Sequence, residues 1–290
     1  MININNRVQN RRLNKTNVID FKSNFGKHPL HLCRVWRDMQ ITNVVEAFLP
    51  EEEARSEDGL KGFLMACNLC KTYGSVSTRA SQFGGADRDL VGKLTWKFVF
   101  RIAALVTFKV VWPDNFNETF IASVDGTVTT NNEPRDPNVR KNTKNFAKKA
   151  NMAGRNHEIA IDLWTSRCIH AKMSDRGSVH DLTAMRQELI DKIPVGKRVI
   201  CDRGYTSFKN GEHLKMSFPN PLDAQAVKEF KKNARARHEN FNKRLKDYKC
   251  LKETFIHGIE KEQACFNAVV VMVQHAIEDT GPYGEPLNRL

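Results

Sequence analysis

Residues 198–205 read RVICDRGY, an apolar strand-forming run that meets Asp202 and then the Asp-Arg-Gly of a tight turn. An acid placed where an apolar strand emerges decides the fold class, because ligands of open α/β sheets gather where the strands give out. The pattern occurs a second time upstream. In TFIASVDG, residues 119–126, the strand-like run closes on Asp125 and glycine follows at once. Gly126 and Gly204 suit sharp turns that leave each carboxylate pointing out of a strand end. Asp before Gly is also a common way to start an ordinary turn, so neither acid defines a site by itself.

The neighbouring segments build a sheet around these two positions. EIAIDLW (158–164) and RCIHAKM (167–173) read as strands joined by a short turn at Thr165 and Ser166. HDLTAMRQELIDKI (180–193) reads as a helix stopped by Pro194. A long helix is expected over 223–248, and a more apolar one over 259–278, ended by Gly281-Pro282. Strand, two strands, helix, strand, helix, helix is a mixed α/β layout, and no internal repeat interrupts it.

Ahead of the sheet the pattern is helical. Leu60, Phe63, Leu64 and Cys67 follow i, i+3, i+4, i+7 spacing; a short segment covers 76–84; a third run starts at Asp87, an N-cap residue type. Its apolar positions are Leu90, Leu94, Phe98, Ile102 and Leu105. QFGGAD supplies a glycine turn of helix-turn-helix length, with Arg79, Arg88, Lys93 and Lys97 near or on the recognition-helix position. Three helices with a glycine turn also occur without DNA binding. The expected organisation is a basic flexible arm (1–30), a helical region (31–115), the α/β domain (116–280) and a tail (281–290). In the arm, Arg7, Arg11, Arg12 and Lys15 read equally as an import or phosphate-contacting patch and as a solvated tail.

Composition narrows the function classes. Lys plus Arg number 46 against 33 Asp plus Glu, a net charge of +13 that favours a polyanionic partner. No apolar run approaches the ~18–20 residues of a membrane span, and the N-terminus lacks a signal-peptide core, so an intracellular protein is expected. Seven cysteines without regular spacing suit a reducing compartment. Cys67 and Cys70 form a CxxC in a helical pattern with no second pair at zinc-ribbon spacing, and read as buried core thiols.

A third acid gives the two strand-end aspartates a chemistry. Val227, Phe230, Ala234, Phe241, Leu245 and Tyr248 repeat at three and four residues, with His238 in the vacant slot of that stripe. Glu239 lies at its border, on one face with Arg235, Lys243 and Lys246. A salt-bridged solvent face explains this arrangement as well. The alternative is a metal site completed by Glu239 and flanked by cations that hold phosphates. In-line cleavage of a phosphodiester uses two divalent ions about 3.5–4 Å apart, and carboxylates from separate elements supply their hard oxygen ligands.

Five stretches in order carry a resemblance. SVDGTVTTNNEPRDP (123–137), KNFAKKANMAGRNHEIAIDLW (144–164), GSVHDLTAMR (177–186), ICDRGY (200–205) and RARHENFNKRLK (235–246) resemble the PIF/Harbinger group of eukaryotic DDE-type transposases. The resemblance implies an RNase H-like nuclease core, a mixed sheet flanked by helices, preceded by an all-α helix-turn-helix region. It makes Asp125 and Asp202 the first and second catalytic aspartates and Glu239 the third acid, all three as metal ligands. His180-Asp181 matches a recurring pair of the group, although Asp181 reads foremost as the N-cap of its helix. Also implied are two Mg²⁺ or Mn²⁺ ions, terminal inverted repeats and target DNA as substrates, a Myb-like partner protein, a homo-oligomer on DNA and a nuclear location. Thr127 stands where many relatives carry histidine. A DNA-binding remnant without cleavage and an RNase H-like nuclease without strand transfer stay open beside the transposase reading.

Overall fold

The computed structural model describes residues 15–132, 146–174, 177–205, 211–281 and 287. Arg7, Arg11, Arg12 and the stretch 133–145 lie outside the described residues. Among the described residues, seven helices precede the sheet: α1 (Lys15–Phe25), α2 (Pro29–Ile41), α3 (Glu51–Arg55), α4 (Glu57–Thr72), α5 (Val76–Gln82), α6 (Arg88–Ala104) and α7 (Val106–Lys109). Their starts are written locally. Ser56, Ser75 and Asp87 cap α4, α5 and α6, each side-chain oxygen accepting from the backbone N–H three residues on. Between α5 and α6, Gly84 and Gly85 both take positive φ, at +86° and +74°.

Two expectations for this region are corrected. The arm expected over 1–30 includes α1: the Phe21 and Phe25 rings meet at 4.6 Å, and Asn24 O accepts from Asn68 Nδ2. In α6 the inward stripe is Val91, Thr95, Phe98, Val99 and Ile102, while Leu90 is 44 % exposed. The close approach of α4 to α6 depends on Gly62, where a Cβ would stand 2.6 Å from the fully buried Phe98 ring. Gly62→Ala is therefore expected to cost about 1–3 kcal/mol by overpacking, measured as a drop in the denaturant midpoint.

The remaining elements are β1 (Phe120–Thr130), β2 (Phe146–Ala147), β3 (Met152–Asp162), β4 (Cys168–Met173), α8 (Asp181–Gln187), α9 (Leu189–Lys192), β5 (Arg198–Ile200), β6 (Met216–Ser217), α10 (Gln225–Lys246), α11 (Lys249–Lys252) and α12 (Ile259–Thr280). The sheet runs β2-β3-β1-β5-β6, with β4 also on β3. β3 pairs antiparallel with both β1 and β4, whereas β5 pairs with β1 and β6 in parallel. Alternation along β5 sends Val199 to one face and Ile200 to the other. On the first face Ile121, Val124, Ala160, Leu182 and Met185 form the core; on the second, Leu163, Phe230 and Ala234. This is the expected mixed sheet flanked by helices, consistent with an RNase H-like core.

β1 and β3 each reach beyond the expected limits, because their polar halves, Thr127–Thr130 and Gly154–Asn156 among them, pair with each other. The two-residue strands β2 and β6 are too short to leave a periodicity. The helix expected over 180–193 breaks at Glu188, whose φ of −155° leaves the helical region. The chain also divides in a way its linear order does not suggest. One compact unit joins the helices up to Lys109 to Leu245–Glu253 and His257–Asp279; the other comprises Val110–Arg244, Thr254–Ile256 and the chain end. α12 thus belongs with the N-terminal helices rather than with the sheet.

Candidate active site

Parallel pairing of β1 with β5 ends with Ser123 opposite Ile200. Two residues further along each chain stand Asp125 and Asp202. There β5 has ended while β1 continues beside β3, so both carboxylates emerge where two parallel strands part. Asp125 is therefore inside a strand and not at its end, as its spacing suggested. Gly126 is likewise no turn residue. A Cβ there would lie 2.8 Å from Asp181 Oδ1 and 2.9 Å from Asn156 Oδ1, so the glycine lets a helix N-terminus approach the strand. Gly204 does follow a turn, its N–H donating to Asp202 Oδ1 at 2.8 Å. A Cβ on Gly204 would fall 3.5 Å from Asp181 Oδ2.

Asp181 thereby enters the site, and the cap expected of it is corrected. The N-cap of α8 is His180, without a side-chain hydrogen bond, and Asp181 is the first helical residue. Its buried carboxylate accepts from Asn156 Nδ2 at 2.8 Å and pairs with Lys149 Nζ at 2.9 Å. His180 is exposed.

The third acid is positioned by two buried residues that precede it in α10. Arg237 Nη1 donates to Leu163 O at 2.6 Å, and His238 Nδ1 donates to Ser123 O at 3.1 Å. These bonds fix the helix against the end of β3 and the body of β1, while Phe230, Ala234, Phe241 and Leu245 bury the expected stripe. The next residue is Glu239. Asp125, Asp202 and Glu239 line one narrow cleft together with Arg235 and His238. His238 Nε2 is buried without a hydrogen-bond partner among the described residues. Burial lowers the His238 pKa to about 4, so the ring is neutral at neutral pH.

A family model, the transposase DDE domain, matches residues 119–269. The chain belongs to the transposase DDE domain family. The matched span contains all three acids and the elements that carry them. Neither the curated proteins nor the solved structures compared with the chain contain a match.

DDE transposase domains use divalent metals, and the donors of this one suit such ions. Three carboxylates from separate parts of the chain offer hard oxygens, and Gly204 keeps side-chain bulk away from Asp202. The cluster already attracts a cation. Burial works against the charge of Lys149, yet its bond to Asp181 and the charges of Asp125 and Asp202 raise its pKa. Burial likewise pushes the Asp125 carboxyl up; Lys149 and the Gly126 N–H oppose the shift, and Asp202 and Asp181 add to it. A carboxyl with a raised folded pKa contributes stability below its ordinary value and loses it as pH rises through the raised one. At neutral pH, ionised Asp125 thus costs stability. Asp125→Asn should therefore raise the metal-free Tm at pH 7, and raise it less at pH 3. Melts in EDTA at both pH values check this, and a fall at pH 7 would contradict it.

The cations divide differently from their spacing. Arg235 lines the acid cleft and also an adjoining cavity of about 400 Å³ with Arg203, Lys228, Lys231 and Lys232. Lys243, Arg88 and Lys93 are exposed. Lys97 is tied to Glu53 at 2.8 Å. Arg79 is 1 % exposed and does not present its charge to a phosphate, so that reading is corrected, while the half-buried Lys246 Nζ donates to Leu251 O at 2.7 Å. Lys149, Asn156 and Arg237 went unnoticed in the sequence. Lys149 and Asn156 sit inside a stretch that carries the family resemblance, but contact with Asp181 is a property of the folded register alone.

Proposed function

We propose that this DDE transposase is a metal-dependent endonuclease and strand-transfer enzyme of the PIF/Harbinger group, acting at terminal inverted repeats. The observation that carries the reading is the convergence of Asp125, Asp202 and Glu239 on one cleft where β1 and β5 part. Asp125, Asp202 and Glu239 would be the residues that hold the cations. When bound, two Mg²⁺ or Mn²⁺ ions supply activation of the attacking oxygen and stabilisation of the leaving one. Asp181 orients Lys149 beside Asp125. Water attacks the phosphodiester at the element end first; the freed 3′ hydroxyl then attacks a phosphodiester of target DNA, so one bond breaks as each new one forms.

The cavity lined by Arg203, Lys228, Lys232 and Arg235 receives the DNA backbone beside the cleft. α5 and α6, with exposed Arg88 and Lys93 after the double-glycine turn, serve as a helix-turn-helix that engages the repeats. A Myb-like partner, assembly of several copies on DNA and a nuclear location belong to the same reading. The test is incubation of the full chain with Mg²⁺ and DNA carrying the element's inverted repeats, followed by sequencing of the products. Joined products support strand transfer; cleavage without joining favours a plain nuclease; a mobility shift without either favours a DNA-binding remnant.

Phosphate contacts carry a salt signature. The affinity should fall with log salt at about 0.9 per contact, and replacing Lys228 and Lys232 by Ala should lower the slope by about 2. Titrations between low and moderate salt measure it, and an unchanged slope would remove this cavity from the DNA path.

A further inference from the structure

Cys70, Cys250 and Cys265 come from α4, α11 and α12, and all three belong to the helical unit. Their sulfurs lie within 4.8 Å of one another, and each side chain is fully buried. Among the described residues, no other set of three or more cysteine, histidine or carboxylate ligand atoms is so closely gathered. The CxxC spacing is misleading here: Cys70 finds its partners 180 and 195 positions away, and Cys67 is not in the group.

The sulfurs have an unusual neighbour. Arg79 from α5 is 1 % exposed; its Nη1 donates to Gly74 O at 2.5 Å, and its Nε has no hydrogen-bond partner among the described residues. Cys70, Cys265 and Tyr73 are the titratable groups whose charge bears on it. A buried guanidinium is costly unless an anion compensates it. Hydrogen bonds from Cys250 and Cys265 hold the Cys70 thiol well below its ordinary pKa, so the sulfur group gathers negative charge beside this cation.

We propose that Cys70, Cys250 and Cys265 bind one thiolate-preferring divalent cation of the zinc class, whose net negative shell is the counter-charge of Arg79. Each thiol releases its proton to solvent as its sulfur binds, so three thiolates and one divalent cation carry a single negative charge, which Arg79 cancels. Softness selects the metal, since thiolates favour zinc and copper(I) over the hard ions of the acid cleft. Copper(I) would leave a second, uncompensated negative charge. Zinc–sulfur bonds of about 2.3 Å hold tetrahedral sulfurs about 3.8 Å apart, which needs only slight closure of the observed group. Water or a backbone oxygen takes the fourth position.

The site would staple α4 to the two helices that return from the far end of the chain. Closing so long a loop is where a cross-link gains most from chain entropy. The direct test is metal analysis of the full-length chain, purified reduced and desalted. About one zinc per chain is expected, and Co²⁺ exchanged into the protein should show thiolate-to-cobalt charge-transfer absorption. Cys250→Ser and Cys265→Ser should lose both signals, whereas Cys67→Ser and the Asp202→Asn/Glu239→Gln double variant should keep them. Folded wild-type protein that holds no zinc and gives no such band with Co²⁺ overturns the proposal. So does metal that survives both serine variants and is lost from the acid-cleft variant. If a serine variant does not fold, the cobalt spectrum of the wild-type chain still decides.

Discussion

Asp202→Asn or Glu239→Gln is expected to remove the proposed metal-dependent cleavage of DNA, with a rate loss of at least about 10³-fold, or roughly 4 kcal/mol of transition-state stabilisation. Each change swaps a hard anionic oxygen for a neutral amide of the same shape, so the ligand is weakened while the packing stays. Asn at 202 can still accept the Gly204 N–H, which bonds Oδ1 at 2.8 Å, and the turn is kept. Glu239 is exposed, and the buried bonds that place its helix belong to Arg237 and His238. DNA affinity should therefore stay within about threefold, since on the proposed reading other residues would hold the phosphates. Single-turnover cleavage alongside a binding titration reads both quantities. Retained cleavage in either variant would remove that acid from the metal site; loss of binding in parallel with cleavage would make the effect structural.

Gly126→Ala should reduce cleavage by about 10²-fold, the scale of a misplacement near 1 Å, while lowering Tm far less. The added methyl would meet Asp181 Oδ1 at 2.8 Å and Asn156 Oδ1 at 2.9 Å. Both atoms end side chains that can shift, so the fold tolerates the change. What cannot shift freely is the charge pattern: Asp181 holds Lys149 at 2.9 Å, and the Lys149 ammonium faces Asp125 and Asp202. Gly204→Ala meets Asp202 Oδ1 at 2.9 Å and serves as a second probe of the same crowding. Activity equal to wild type in Gly126→Ala would show that Asp181 can move without consequence for the acids.

The sheet was legible because strands such as 119–126 and 198–202 are short apolar runs bounded by turn residues. The acids became a candidate site only through the third acid and the family resemblance, since Asp before Gly also starts ordinary turns. The α10 stripe was legible as well, down to the vacancy filled by His238. What stayed hidden depends on register. Asp125 is mid-strand because the polar half of β1 finds the polar half of β3, and polar residues that pair with each other leave no apolar alternation. Asp181 reads as a cap in one dimension and becomes a site residue only when Gly126 lets it approach. Arg79 and Lys246 looked like surface cations because charge type does not report burial, and snorkelling stems conceal it further. The cysteine group spans the whole chain and has no spacing to read.

Counting Mn²⁺ on the chain tests the three-acid metal site most directly. Electron paramagnetic resonance of free Mn²⁺ can follow its uptake by wild type, Asp125→Asn, Asp202→Asn and Glu239→Gln, each bound to uncut DNA carrying the repeats. Two ions on the wild-type complex, with weakened or lost uptake in each acid variant, is the expected result. Equal uptake by the wild type and all three variants would contradict the assignment of Asp125, Asp202 and Glu239 as the metal ligands.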